Sequence, residues 1–297
     1  MLKNKKLGFK IAAGFGAILF LAVLLGTTSA VSMRSVCTKS TALANEQAPS
    51  VKIANDVERS SLQTMYAMRG YSLTGDTKMA EDAKAKLAEV EKALDAALKL
   101  ASNSSGIASL KQAATEAQQG VATYSDLATK TFANMDSVGK AKEELNASAK
   151  VWLENTSAYT KSQQDTLREE IATNAGADKL GSRFSKISRI DEVMDLGNAA
   201  RIAAWKALAD RDPAALEPVM PNFAKMDTLV AEARSATTQQ ANLDQLDKIK
   251  KSAGDYKAAL TDLMGDLKAQ AELNTQRGTA AATVLEQAQK TAVAGLD

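Results

Sequence analysis

Arginines and amides set on otherwise apolar helix faces are the positions where this chain could do chemistry, and the chemistry they suit is the binding of anions. Arg201 is the clearest case. Its face reads Leu180, Ile187, Ile190, Met194, Gly197, Arg201, Ala204 and Leu208, with threes and fours alternating from Ile190 onward, so a guanidinium lies on the stripe that should face the core. A charge there is costly unless it is paired or hydrogen-bonded, and the small Gly197 and Ala204 leave room beside it. Counting the helical rise from the ends of each run places Arg59, Arg201, Lys150 with Trp152, and Arg277 in one band roughly 30–42 Å from the membrane end. Asn274 falls on the stripe Met264, Leu267, Ala271, Asn274, Gly278, Ala281 and Leu285, with Arg277 at its border. The expected ligand contacts are therefore Arg59, Arg201, Asn274 and Arg277, converging between helices on a small carboxylate through bidentate charge-assisted bonds. The competing reading sends these heads to solvent or pairs them with acids such as Glu58 or Asp195. Trp152 and Trp205 are expected as core anchors, and Tyr124 and Tyr256 as core residues of the upper bundle.

Other chemistries are poorly served. The chain has no histidine and one cysteine, Cys37, which excludes histidine metal sites, multi-cysteine metal sites and histidine-based triads. Glu143-Glu144 and Glu169-Glu170 are adjacent in sequence, so their carboxylates point to different helix faces and read as solvated surface. No glycine-rich phosphate loop follows a strand, because no strand is expected. The chain reads as a non-enzyme without metal or cofactor. Its 37 basic and 35 acidic residues alternate along the helices and give a net charge of +2, with no basic stripe interleaved by aromatics, so nucleic acid is not an expected partner.

The elements that must position these residues are long helices. Aromatics are 4% and charged residues 24% of the chain, and alanine dominates the apolar 45%. No proline occurs from Ser50 to Asp212, and apolar positions recur every three and four residues. Ser105–Thr173 reads as one helix ~100 Å long, and the preceding runs Val31–Leu73 and Thr77–Ala101, ~64 Å and ~37 Å, sum to the same length. This match predicts a broken ascending leg packed on a continuous descending one. Asp178–Ala209 and Pro213–Ala236 followed by Asn242–Val293 repeat the pattern. The expected fold is all-α, two stacked four-helix bundles with an N-terminal transmembrane helix. The expected divisions are a cytoplasmic start 1–10, a transmembrane helix 11–33 and a ligand-binding domain 34–297. Within the latter, 34–73, 140–209 and 265–297 make a membrane-proximal bundle, and 74–139 and 210–264 a distal one. A hairpin at Gly75 is the alternative path, set aside because it would leave half of the long helix with its apolar stripe uncovered. A shift of 132 places Arg69 on Arg201, Asp95 on Asp227, Tyr124 on Tyr256, Phe132 on Met264 and Leu153 on Leu285, a weak internal repeat.

The breaks are punctuated by Leu73-Thr74-Gly75-Asp76-Thr77, by Ser102-Asn103-Ser104-Ser105-Gly106 and by Asn174-Ala175-Gly176-Ala177-Asp178. Asp212-Pro213 reads as a cap with proline at the first helical position, and Pro218 and Pro221 make the next helix irregular. At the N-terminus, Lys3, Lys5, Lys6 and Lys10 precede the uncharged stretch Ile11–Met33, which is long enough to span ~30 Å of hydrocarbon. The lysines place the start in the cytoplasm and the bulk of the chain beyond the bacterial inner membrane, in the periplasm. A cleaved signal peptide ending near Thr28-Ser29-Ala30 is the alternative.

With these residues in view, the chain resembles a known family. Leu7-Gly8-Phe9-Lys10-Ile11 and Gly14-Phe15-Gly16 followed by an exported helical module look like the front of a bacterial methyl-accepting chemotaxis receptor. Met68-Arg69-Gly70-Tyr71-Ser72-Leu73-Thr74-Gly75-Asp76 resembles the segment that ends the first sensor helix in that group. Gly197-Asn198-Ala199-Ala200-Arg201-Ile202-Ala203-Ala204-Trp205, then Arg211-Asp212-Pro213 and Asn274-Thr275-Gln276-Arg277-Gly278, are similar to its helical bimodular sensor domain, over roughly Leu43–Val293. The resemblance implies a periplasmic, homodimeric ligand-binding region of a chemotaxis transducer. Arginines of its proximal bundle would take a dicarboxylate or tricarboxylate, and the distal bundle a small monocarboxylate such as acetate. By position, Arg59, Arg201 and Arg277 would inherit the proximal role. Such receptors continue into a second span and a cytoplasmic signalling rod, whereas this sequence stops at Ala294-Gly295-Leu296-Asp297, where that span would begin. The sensor of a membrane histidine kinase and an exported coiled-coil spacer with no ligand are the alternatives; the spacer requires every one of these arginines to be exposed and replaceable by lysine.

Overall fold

The computed structural model describes residues 7–103 and 107–294, and every element among them is helical. Lys3, Lys5, Lys6, Ser104-Ser105-Gly106 and the last three residues lie outside the described residues. Helix α1 (Leu7–Ala42) passes through a wide π turn (Leu43–Gln47) into α2 (Ala48–Thr74), then α3 (Thr77–Ser102), α4 (Ala108–Ala172) and α5 (Ala177–Asp210) follow. A 3-10 segment (Pro213–Val219) leads to α6 (Asn222–Ser235) and α7 (Gln240–Ala294). The all-α expectation therefore holds, and the 65-residue α4 is the long helix read from the sequence. Leu7–Thr74 contains a stretch long and apolar enough to cross a membrane, and no residue of α1 is buried. The π turn has a local cause. Pro49 has no N–H and its ring crowds the carbonyl four residues back, so the chain widens just before it, with the Ala48 N–H reaching the Leu43 carbonyl.

The expected broken legs are instead hairpins. Gly75 adopts φ +73°, a conformation that glycine enters without strain, and its N–H closes on the Tyr71 carbonyl at 2.8 Å. Asp76 accepts from the Lys78 N–H at 2.9 Å, starting α3, which then runs back along α2. Ser60 Oγ donates to Glu89 Oε2 at 3.2 Å, a contact only a hairpin can make. The second half does the same. Arg189 on α5 pairs with Glu232 on α6 at 2.8 Å, and Lys225 on α6 with Glu192 on α5 at 2.5 Å. Each half of the chain is thus a hairpin followed by a long helix, and a shift of 132 carries Ala108, the start of α4, onto Gln240, the start of α7.

The chain forms two compact units whose boundaries replace the expected ones: 1–65, 84–122 and 280–297 in the first, 66–83 and 123–279 in the second. Residues 140–209 and 210–264, expected in different bundles, belong to one unit. In the first unit, Val57 of α2, Val90 and Leu94 of α3, Ala117 and Val121 of α4, and Val284 and Ala288 of α7 make one core. Gly120 permits a close helix approach there, since a Cβ would lie 2.9 Å from Val284 Cγ2. In the second unit the core joins Val138–Tyr159 of α4, Ile190–Ala207 of α5, Phe223–Ala233 of α6 and Leu246–Leu267 of α7. The objection to a Gly75 hairpin falls away, because the α5–α6 hairpin covers the rest of the α4 stripe.

Candidate anion-binding site

Within the second unit, α4, α5 and α7 enclose a cavity of about 420 Å³. Arg201 enters it from α5 with Ala204, Trp205 and Leu208; α4 contributes Lys142, Asn146, Lys150 and Glu154, and α7 Tyr256. The face predicted for Arg201 is the observed one: Ile187, Ile190, Gly197 and Ala204 are buried and Arg201 is half-buried at the cavity wall. Gly197 is required at the base, where a Cβ would meet Trp152 Cζ2 at 2.3 Å. This close approach lets the buried indole, 3% exposed, sit under the arginine. Tyr256 is stacked on Phe223 with ring centres 6.4 Å apart. Burial pushes its phenol up to about 12, against the opposing pull of Arg201.

The Arg201 guanidinium has one hydrogen bond, from Nη1 to Asn198 Oδ1 at 3.2 Å, and no carboxylate pairs with it among the described residues. Lys142 lies with Nζ 5.4 Å from the centre of the Trp205 ring. Three cations against one acid, Glu154, make the cavity a place for a negative group. Trp205 is 50% exposed, a wall of the cavity and not the core anchor expected. Lys142, Trp205 and Leu208 continue into a more open cavity of about 830 Å³ that reaches Tyr71, Asp136 and Arg211. Arg211 takes the left-handed conformation, φ 55°, as α5 ends, and its Nη2 donates to the Leu73 carbonyl at 2.6 Å. Asp212 caps the next segment by accepting from Ala214 N at 2.9 Å, as its sequence predicts, and Pro213–Val219 is the irregular turn expected.

The four predicted ligand residues do not converge. Arg59 belongs to the first unit, where its side chain is 68% exposed and pairs with Asp56 at 2.8 Å. Arg277 is in the second unit, but on α7 it is 21 residues from Tyr256, about 32 Å along the axis. The band was a consequence of the broken-leg path and disappears with it. The reading of α7 is also reversed: Arg277 is 3% exposed and Asn274, which accepts from its Nη2, is exposed, because the buried stripe passes through Leu273. Glu170, read as surface, is buried and held at both oxygens by Arg183, at 2.8 and 3.2 Å. Tyr124 and Tyr256 are buried as expected.

The family described as a four-helix-bundle sensory module for signal transduction matches residues 4–178. The chain belongs to that family. The sensory module is also similar in fold to a chain in the crystal structure of the TorS sensor domain–TorT complex in the presence of TMAO, with a TM-score of 0.51 and 9% identity, covering 84% of this chain and 100% of that one. Comparison with curated proteins gives no match. The sensory module's cavity also contains residues that sequence reasoning had not joined to Arg201, namely Lys142, Asn146, Glu154 and Tyr256. A signal was present on α4, where Lys142, Asn146 and Lys150 recur every four residues and so share a face.

Proposed function

We propose that this chain is the extracytoplasmic sensing region of a methyl-accepting chemotaxis transducer, with α1 in the inner membrane, and that the Arg201 cavity takes a small organic acid. The observation that carries the reading is a half-buried guanidinium in a cavity of about 420 Å³ with no acid bonded to it and two lysines at the walls. A ligand carboxylate would complete Arg201, and the aliphatic and aromatic walls would desolvate the bond. Because α4, α5 and α7 all line the cavity, a bound acid favours one relative setting of these helices, and small displacements of packed helices are the usual means of relay. The motifs around Arg69 and Arg201 resemble those of a chemotaxis receptor, whereas the lysine-rich start suits equally the sensor of a membrane histidine kinase, from which cytoplasmic sequence separates it. The competing spacer reading requires exposed arginines, which Arg201 and Arg277 are not.

Calorimetric titration of the full chain with malate, succinate, citrate and acetate tests the proposal. At least one should bind with Arg201 intact, Arg201→Ala should weaken it ~100-fold, and Arg201→Lys less. If no acid binds, or Arg201→Ala leaves affinity unchanged, the site is not an acid receptor.

A further inference from the structure

Arg277 presents a problem that the Arg201 cavity does not solve. It is 3% exposed, and its Nη2 alone is bonded, to Ser72 Oγ at 3.1 Å and to Asn274 Oδ1, both neutral. Its Nε and Nη1 have no partner among the described residues. The charged and titratable groups that act on it are Arg69, of the same sign, and the buried phenol of Tyr124. A desolvated guanidinium with no carboxylate beside it is a state that proteins avoid unless a counter-ion is supplied. A water bridging to the unpartnered Gln270 Oε1 would satisfy a hydrogen bond but leave the charge.

The internal repeat supplies a second, independent reason to see a site. Arg69 and Tyr124 map onto Arg201 and Tyr256 under the shift of 132, and each arginine lies in the field of its own tyrosine. Asn134 Nδ2 donates to the Asp266 carbonyl at 3.0 Å, joining two residues that are themselves 132 apart, so α4 and α7 meet there about a local two-fold relation. That relation carries Arg277 onto Leu145, which lines the Arg201 cavity. The Arg277 cluster is thus the counterpart of the anion cavity, with the exposed Arg69 in the place of Arg201 and a second cation, Arg277, where its twin has a leucine.

We propose that the Arg277 guanidinium, through its unpartnered Nε and Nη1, holds a monatomic anion, chloride under ordinary conditions, as the buried counter-ion of α7. A monatomic occupant follows from closure, since Ser72, which Arg277 bonds, and Gln270 and Met135 beside it are all buried and interiors are close-packed. The ion would fix α7 against Ser72 of α2, where Gln270 Nε2 also donates to the Ser72 carbonyl at 2.7 Å. The support from the repeat rests on the proposed acid cavity, that from the unpartnered Arg277 guanidinium does not, and Arg201→Gln separates the two in the test. Thermal unfolding of the full chain should shift upward by about 3 °C in chloride or bromide relative to gluconate at matched ionic strength. Arg277→Gln should remove that difference and Arg201→Gln should keep it. Crystals grown in bromide should show an anomalous peak within hydrogen-bond distance of the Arg277 guanidinium, a result that does not depend on the variant folding. Equal stability in chloride and gluconate, a halide effect that survives Arg277→Gln, an equal effect of acetate, or no bromide peak at Arg277 would each overturn the proposal.

Discussion

The two tryptophans show how burial sorts residues that sequence treats alike. Trp152 is buried against Gly197 with its Nε1 unpartnered, and Trp205 stands half in solvent beneath Lys142. Trp152→Ala should destabilise by about 3–5 kcal/mol, as expected for a large core residue. Trp205→Ala should cost much less and act on ligand binding, and denaturant midpoints beside calorimetry separate the two. Comparable losses of stability would show that Trp205 is a core residue after all. Gly197 offers a sharper version of the same argument. A Cβ there would sit 2.3 Å from the Trp152 ring, so Gly197→Ala should cost about 1–3 kcal/mol through overpacking and should lower acid affinity, because the indole under Arg201 must move.

Turns decide this fold, and they are where sequence reasoning succeeded and failed. The helices themselves were legible: periodicity and the absence of proline located α3, α4, α5 and α7 to within a few residues, and Gly75 and Asp212-Pro213 were read as breaks. The direction of the chain after a break was not legible, since helix periodicity is the same whether the next helix continues or returns. Equal helix lengths favoured continuation; the Ser60–Glu89 and Arg189–Glu232 contacts, which decide the matter, pair residues far apart in sequence. Arg201 survives this error because its burial depends on its own helix face, whereas Arg59 and Arg277 are joined to it by height, and Asn274 by a face of α7 that is exposed. At Gly75 the left-handed φ means that Gly75→Ala should cost about 1 kcal/mol with the hairpin intact. The turn between α4 and α5 is closed by Glu170, whose carboxyl is held below its ordinary value of 4.5 chiefly by the Arg183 bond. A lowered folded value means that Glu170 stabilises the fold above its unfolded value and loses this as pH falls through the folded one. Melting temperatures of wild type and Glu170→Gln should therefore differ most at neutral pH and converge below pH 4.5. Curves that stay parallel into acid would mean that the Arg183 bond is not the cause.

At the scale of the whole molecule, the chain is one plan used twice: a hairpin, then a long helix. Each unit draws on both long helices, and within the second unit they run in opposite directions. Asn134 bonds Asp266, and Leu145 shares a cavity with Tyr256, so position rises on α4 as it falls on α7. This direction is the consequence of the two hairpins, and the broken-leg path would have made the long helices parallel. Cross-linking distinguishes the two. Two turns from the Asn134–Asp266 contact in either direction, Ala141 of α4 and Ala259 of α7 are both buried in the same core. With Cys37 replaced by serine, cysteines at 141 and 259 should therefore form a disulfide readily, and cysteines at 141 and 273, which a parallel pair would align, should not. The reverse pattern would restore the broken leg, return Arg277 to the level of Arg201, and make one belt of the two anion sites argued above.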